Sequence, residues 1–139
     1  MKFIEGEVVP FQVIKLEQIP EQGSFFVLRH HSGRRLLLSA AVYSQYNIRA
    51  GTTIECKIER VSCTGKVYLE PMHPCYREGE VYDFKLLEGF KGGNPLVVED
   101  CLGNRIEVQN ATGTHQSAEN ETVTLRVGEI RRGVPTLLI

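Results

Sequence analysis

Glu78-Gly79-Glu80-Val81-Tyr82-Asp83-Phe84-Lys85-Leu86 repeats, in residue type and spacing, an earlier stretch: Glu5-Gly6-Glu7-Val8-Val9-Pro10-Phe11-Gln12-Val13. A strand opening that recurs most of a small domain later marks one module used twice. The rest of the chain keeps the same register. Gly23 falls on Gly93, Val27 on Val97, Gly33 on Gly103, Arg35 on Arg105, Gly65 on Gly133 and Leu69 on Leu137. Glycines fall on turns, and apolar residues fall on alternate strand positions.

Working outward from these stretches, the first module reads as five strands. Residues 7–16 alternate, with Val9, Phe11 and Val13 on one face and Pro10, Gln12 and Ile14 on the other, the period of a half-buried strand. Pro10 has no amide hydrogen, so it belongs at an edge, at a bulge or facing away from a ladder bond. Residues 18–23 form a loop. Residues 24–30 and 34–39 make a hairpin around His31-Ser32-Gly33. Residues 40–51 are the one place for a helical turn. Residues 52–61 alternate with Ile54, Cys56 and Ile58 inward, and residues 66–70 close the module. Residues 71–77, with Pro71 and Pro74, read as a short stiff linker.

The pattern then replays over 81–87, 96–99, 105–108, 122–127 and 134–139, with Gly92-Gly93-Asn94 as the first loop and residues 110–120 as a polar connection. Two modules follow, at 1–74 and 75–139. Five strands, no long helix and the longest break between strands three and four describe a small Greek-key barrel, and closure removes exposed sheet edges. The expected fold class is all-β: two tandem five-stranded barrels of the OB type.

The 139 residues are 42% apolar and 24% charged, with a formal net charge of −1. That balance excludes a strongly basic, nonspecific nucleic-acid binder. The charge is uneven, however: residues 1–74 sum to +2 and residues 75–139 to −3. The first module is therefore the better partner for a polyanion. No apolar run approaches the ~20 residues of a membrane helix, and the N-terminal stretch lacks a signal-peptide core. The expected location is the cytoplasm. Cys56, Cys63, Cys75 and Cys101 form no close CxxC pair, and reduced thiols are expected. A zinc site from Cys63, His73 and Cys75 matches no standard ligand spacing. No metal or cofactor is expected, and no nucleophile elbow, phosphate loop or HExxH motif points to an enzyme.

Gly23-Ser24-Phe25-Phe26-Val27-Leu28, Leu37-Leu38-Ser39 and Gly65-Lys66-Val67-Tyr68-Leu69 carry a resemblance. They resemble the second, third and closing strands of the S-one family of RNA-binding OB domains, related to the cold-shock type. The resemblance covers most of residues 5–71. Leu37 stands where that family has a histidine, Ser62 near its usual aspartate, and Pro95 at the second module's strand-two aromatic. The resemblance implies an OB barrel and binding of single-stranded nucleic acid, RNA ahead of DNA.

The residues themselves point to one face. With Phe26, Leu28, Leu36 and Leu38 inward, the outer surface of the hairpin collects Phe25, Val27, Arg29, Arg35 and Leu37. His30, His31 and Arg34 sit at its tip as a solvated basic turn. Lys57 and Tyr68 extend the patch. Aromatic rings stack on bases and guanidinium groups hold phosphates. The candidate nucleic-acid-binding residues are thus Phe25, Arg29, His31, Arg34, Arg35, Lys57 and Tyr68. The alternative is that the same exposed apolar positions dock another protein, as an adaptor or part of a larger machine.

Overall fold

The computed structural model describes residues 2–88, 96–108 and 122–138. The chain divides into two compact units, Met1–Pro74 and Cys75–Ile139. Unit 1 contains β1 (Val8–Ile19), β2 (Gly23–Arg29), β3 (Arg35–Ser39), a 3-10 turn at Ser44–Tyr46, β4 (Thr53–Val61) and β5 (Val67–Pro71). Unit 2 contains β6 (Val81–Glu88), β7 (Val97–Glu99), β8 (Arg105–Glu107), β9 (Thr122–Arg131) and β10 (Val134–Leu138). Each unit is one antiparallel sheet. The orders, β3-β2-β1-β4-β5 and β8-β7-β6-β9-β10, are the same order one module apart. The fold is all-β, with two five-stranded OB-type sheets. The loop at Gly92-Gly93-Asn94, Pro95 and the connection 110–120 lie outside the described residues.

The shared Glu-Gly-Glu stretch has a physical reason. Gly6 and Gly79 have φ of +89° and +87°, a region that costs a residue with a Cβ roughly 1–2 kcal/mol. This turn lets the Gly6 amide donate to the Ile58 carbonyl at 2.8 Å and the Gly79 amide to the Val127 carbonyl at 2.7 Å. The preceding glutamate then accepts from a backbone amide at the end of the fourth strand. Val61 N–H donates to Glu5 at 2.9 Å, and Ile130 N–H to Glu78 at 3.3 Å. One short motif therefore anchors the first strand of each unit to its fourth.

Strand β1 serves two neighbours in succession. Val8 to Gln12 pair with β4, and Gln12 to Ile19 pair with β2. Ile58 N–H donates to the Glu7 carbonyl and Val13 N–H to the Thr52 carbonyl, so the alternate residues between them, Val9 and Phe11, turn their backbone groups to β4. Pro10 lies between them. Its missing amide hydrogen falls on the side where β2 has already ended, so no ladder bond is lost. A bulge between Val13 and Lys15 redirects the second half of the strand. The same irregularity recurs between Leu86 and Glu88.

The cores form from matching positions. Phe11, Val13, Leu28, Cys56 and Ile58 are buried in unit 1, and Phe84, Leu86, Val98, Leu125 and Val127 in unit 2. Cys56 packs as a small hydrophobe, and burial pushes its thiol up to about 12. In unit 1 two hydrogen bonds span from the β3 side to β5 and its turn. Arg34 donates to the Gly65 carbonyl at 2.9 Å, and the Tyr43 hydroxyl donates to Glu70 at 2.8 Å.

Three expectations are corrected. Residues 71–77 are not a bare linker: Pro71 ends β5, and Tyr76 is buried in the core of unit 2 against Phe84. Aromatic burial outweighs the two prolines there. The thiols are not all reduced: Cys75 and Cys101 form a disulfide, while Cys56 and Cys63 are free. Sequence spacing hid this pair because a 26-residue separation says nothing of which turns meet. The Cys75 sulfur is thus bonded to Cys101 rather than available as a thiolate. Finally, His30 is not at a solvated tip; it is 1% exposed. No helix among the described residues is long and apolar enough to cross a membrane.

Candidate nucleic-acid interface

Cross-strand register builds a three-by-three grid on the outside of β1, β2 and β3. The first row is Gln12–Arg29–Arg35, the second Lys15–Val27–Leu37 and the third Glu17–Phe25–Ser39. The alternate set, Phe26, Leu28 and Leu38, lies in the core, so these rows share the opposite face. Arg29 donates to Gln12 Oε1 at 2.6 Å. Arg35 stands directly across from Arg29, and it has no hydrogen bond or ion pair among the described residues. Lys15 lies 3.8 Å from Glu17. Leu37 is half exposed, Phe25 partly buried and Val27 buried at 4%. Two facing cations with no carboxylate in their row destabilise the sheet slightly, and an anion lying over them reverses that.

The turn beyond this grid is organised by His30. Its Nδ1 accepts the Ser32 backbone N–H at 3.2 Å and faces the Ser32 hydroxyl at 2.8 Å. A backbone amide can only donate, so the imidazole hydrogen sits on Nε2. That nitrogen is buried without a hydrogen-bond acceptor among the described residues. The ring meets Phe3 edge-on at 5.0 Å, Phe11 at 5.8 Å and His31 at 4.0 Å. Burial first, then the neighbouring charge of His31, hold His30 below the usual histidine range. The sign follows from linkage. Below about pH 6.5 the unfolded chain takes up a proton that the folded unit refuses, so stability falls as the solution is acidified. Urea unfolding of unit 1 is expected to show a lower midpoint at pH 5.5 than at pH 7.5. The variant His30→Asn should flatten that dependence; an equally steep variant would assign it to another group.

Where β2 has ended, the His30–Gly33 turn faces the first half of β1 across an open groove of about 490 Å³. Arg29, His31, Gln12 and Thr53 supply its polar lining, and Pro10 and Phe11 supply apolar wall. Gln12 and Arg29 belong both to this groove and to the first row of the grid.

The structure places Phe25, Arg29 and Arg35 together on the grid, with His31 on the adjoining groove. Arg34 turns away from the grid toward the Gly65 carbonyl, its guanidinium 5.2 Å from the Phe3 ring. Lys57 and Tyr68 belong to β4 and β5. Lys57 pairs across from Val8 and Glu70, and Tyr68 from Arg60. The Tyr68 ring is already flanked by Arg60 at 4.7 Å and Lys66 at 5.1 Å. Sequence reasoning missed Gln12, Lys15 and Thr53. Uninterrupted alternation turns Lys15 inward with Val13; the bulge at Ile14 turns it out, and no local signal marks that bulge.

Unit 2 carries different chemistry on the same scaffold. The equivalent row is Lys85–Glu99–Arg105, with a carboxylate between two cations, and Glu107 takes the position of Leu37. No family model matches the chain, and no curated protein matches it. Among solved structures, the chain is similar to a multidomain protein with nucleic acid binding domains from Streptococcus pneumoniae TIGR4, at 10% identity and a TM-score of 0.34. The match covers 95% of this chain and 50% of that one, so the chain spans half the length of that neighbour.

Proposed function

We propose that this protein binds single-stranded nucleic acid, without catalysis, through the outer face of β1, β2 and β3 in unit 1. The observation that carries this reading is the row Gln12–Arg29–Arg35, where two guanidinium groups face each other with no carboxylate between them. Arg29, Arg35 and Lys15 hold phosphates, and Phe25, partly exposed in the third row, offers an aromatic ring to bases. Stacking on such a ring contributes about 1–3 kcal/mol per base. RNA is favoured over DNA by the resemblance of the strand motifs to the S-one family. Unit 2, with Glu99 and Glu107 on the matching face, acts as a spacer or docking module.

Fluorescence anisotropy with labelled single-stranded RNA and DNA at two salt concentrations tests this. The expected result is micromolar binding, tighter for RNA, that weakens as salt rises. Absence of binding at low salt defeats the reading. One observation favours a second reading: Leu37 is 50% exposed in the middle row of the grid, as a protein-docking face requires. A protein partner that stays bound after nuclease treatment, and that Leu37→Glu releases, is the result that selects it.

A further inference from the structure

The geometry points to a nucleotide subsite in the groove between β1 and the His30–Gly33 turn: a nucleoside monophosphate unit, its phosphate on Arg29 and its base on the His31 ring. This inference rests on the reading of unit 1 as a nucleic-acid binder and adds a place for one particular nucleotide. The volume, about 490 Å³, lies within the roughly 300–1,000 Å³ of small-ligand sites. The lining is charge-selective: Arg29 and His31 are present, and no carboxylate is among the lining residues. The nearest acidic position in the register is Glu55, opposite Pro10, and it is not among the lining residues either.

The groove is also held in shape from behind. His30 is fully buried between Phe3 and Phe11, and its Nδ1 fixes the turn through Ser32. His31 packs on His30 at 4.0 Å, yet is itself exposed, so part of its ring remains open to a base. Histidine rings serve as stacking platforms for unpaired bases. The Arg29 guanidinium, fixed by its hydrogen bond to Gln12, has further N–H donors to offer, in a fork that suits phosphate oxygens. The Thr53 hydroxyl stands next to Gln12 on the other side.

Unit 2 shows that the scaffold does not require these residues. Asp83, Lys85, Glu99, Asp100 and Cys101 occupy the positions of Pro10, Gln12, Arg29, His30 and His31. There the Asp83 carboxylate accepts from Thr124, Asp100 accepts from the Leu102 and Asn104 amides, and Cys101 is bound in the disulfide. The turn can thus be built around an aspartate and a disulfide, and only unit 1 places an arginine and an open imidazole beside it.

The test is an amide-resolved NMR titration of the full chain with adenosine 5′-monophosphate, adenosine and inorganic phosphate. The monophosphate is expected to move the amides of Gln12, Arg29, His31, Gly33 and Thr53. Joining base and phosphate should give binding about tenfold tighter than either adenosine or phosphate alone. Arg29→Gln should abolish most of that gain, and Arg105→Ala at the matching row of unit 2 should preserve it. His31→Phe should keep the binding that His31→Ala loses. No shift at these amides overturns the subsite; so does a response no tighter than to phosphate, or loss in His31→Phe equal to that in His31→Ala. Binding of oligonucleotides without binding of the monophosphate removes the subsite and leaves the grid. The opposite pattern removes the grid and leaves a nucleotide site.

Discussion

Replacing Arg29 and Arg35 together with alanine is expected to weaken single-stranded RNA binding by roughly two to four orders of magnitude at low salt. A hydrogen bond to a charged group contributes about 1.5–3 kcal/mol, and two are lost. The salt dependence should flatten as well. Each phosphate neutralised on a single strand adds about 0.7 to the slope of log affinity against log salt, so the double variant should lose roughly 1.4. Folding stability should hold or rise slightly, because the two cations face each other across β2 and β3 and like charges in that relation are unfavourable by a few tenths of a kcal/mol. Binding and stability moving in opposite directions is the signature of a site rather than of a structural pair. The comparison in unit 2 is Arg105→Ala, which removes a cation already facing Glu99 and should leave RNA affinity largely unchanged. Unchanged affinity in the Arg29 and Arg35 double variant would defeat the assignment of the grid.

Much of the architecture was legible because it depends on local, periodic signals. The Glu-Gly-Glu stretches mark the same turn twice, and Phe11 and Phe84, Val13 and Leu86, Leu28 and Val98 alternate inward as their spacing predicts. The outer hairpin face was legible for the same reason, and Phe25, Arg29 and Arg35 do share it. What was not legible depends on tertiary packing. A bulge at Ile14 changes the face of Lys15, and nothing in the residues from 13 to 17 announces it. His30 and His31 read as one basic pair, yet the first is a buried core residue under Phe3 and the second lines a groove. Phe3 precedes the first strand, so no strand period placed it over that histidine. Tyr76 was hidden in the same way behind two prolines.

Reducing the Cys75–Cys101 bond should destabilise unit 2 and leave unit 1 unchanged. The bond closes a loop of sequence separation 26, for which the chain-entropy relation gives about 3.5 kcal/mol. For a unit of this size that corresponds to a Tm lower by roughly 15–25 °C. The native fold of unit 2 should nonetheless survive reduction. The Tyr76 hydroxyl still accepts the Cys101 amide at 2.8 Å, and its ring still packs on Phe84 at 5.1 Å and Tyr82 at 4.9 Å. Unit 1 provides the internal reference. Its equivalent ring, Phe3, meets His30 at 5.0 Å and the Arg34 guanidinium at 5.2 Å with no disulfide beside it. Thermal unfolding with and without reductant should therefore show one transition that moves and one that does not. Thiol titration of the denatured, unreduced chain should find two reactive groups, Cys56 and Cys63. Four reactive thiols, or a unit 2 transition indifferent to reductant, would show that Tyr76 and the apolar core hold this turn without the bond.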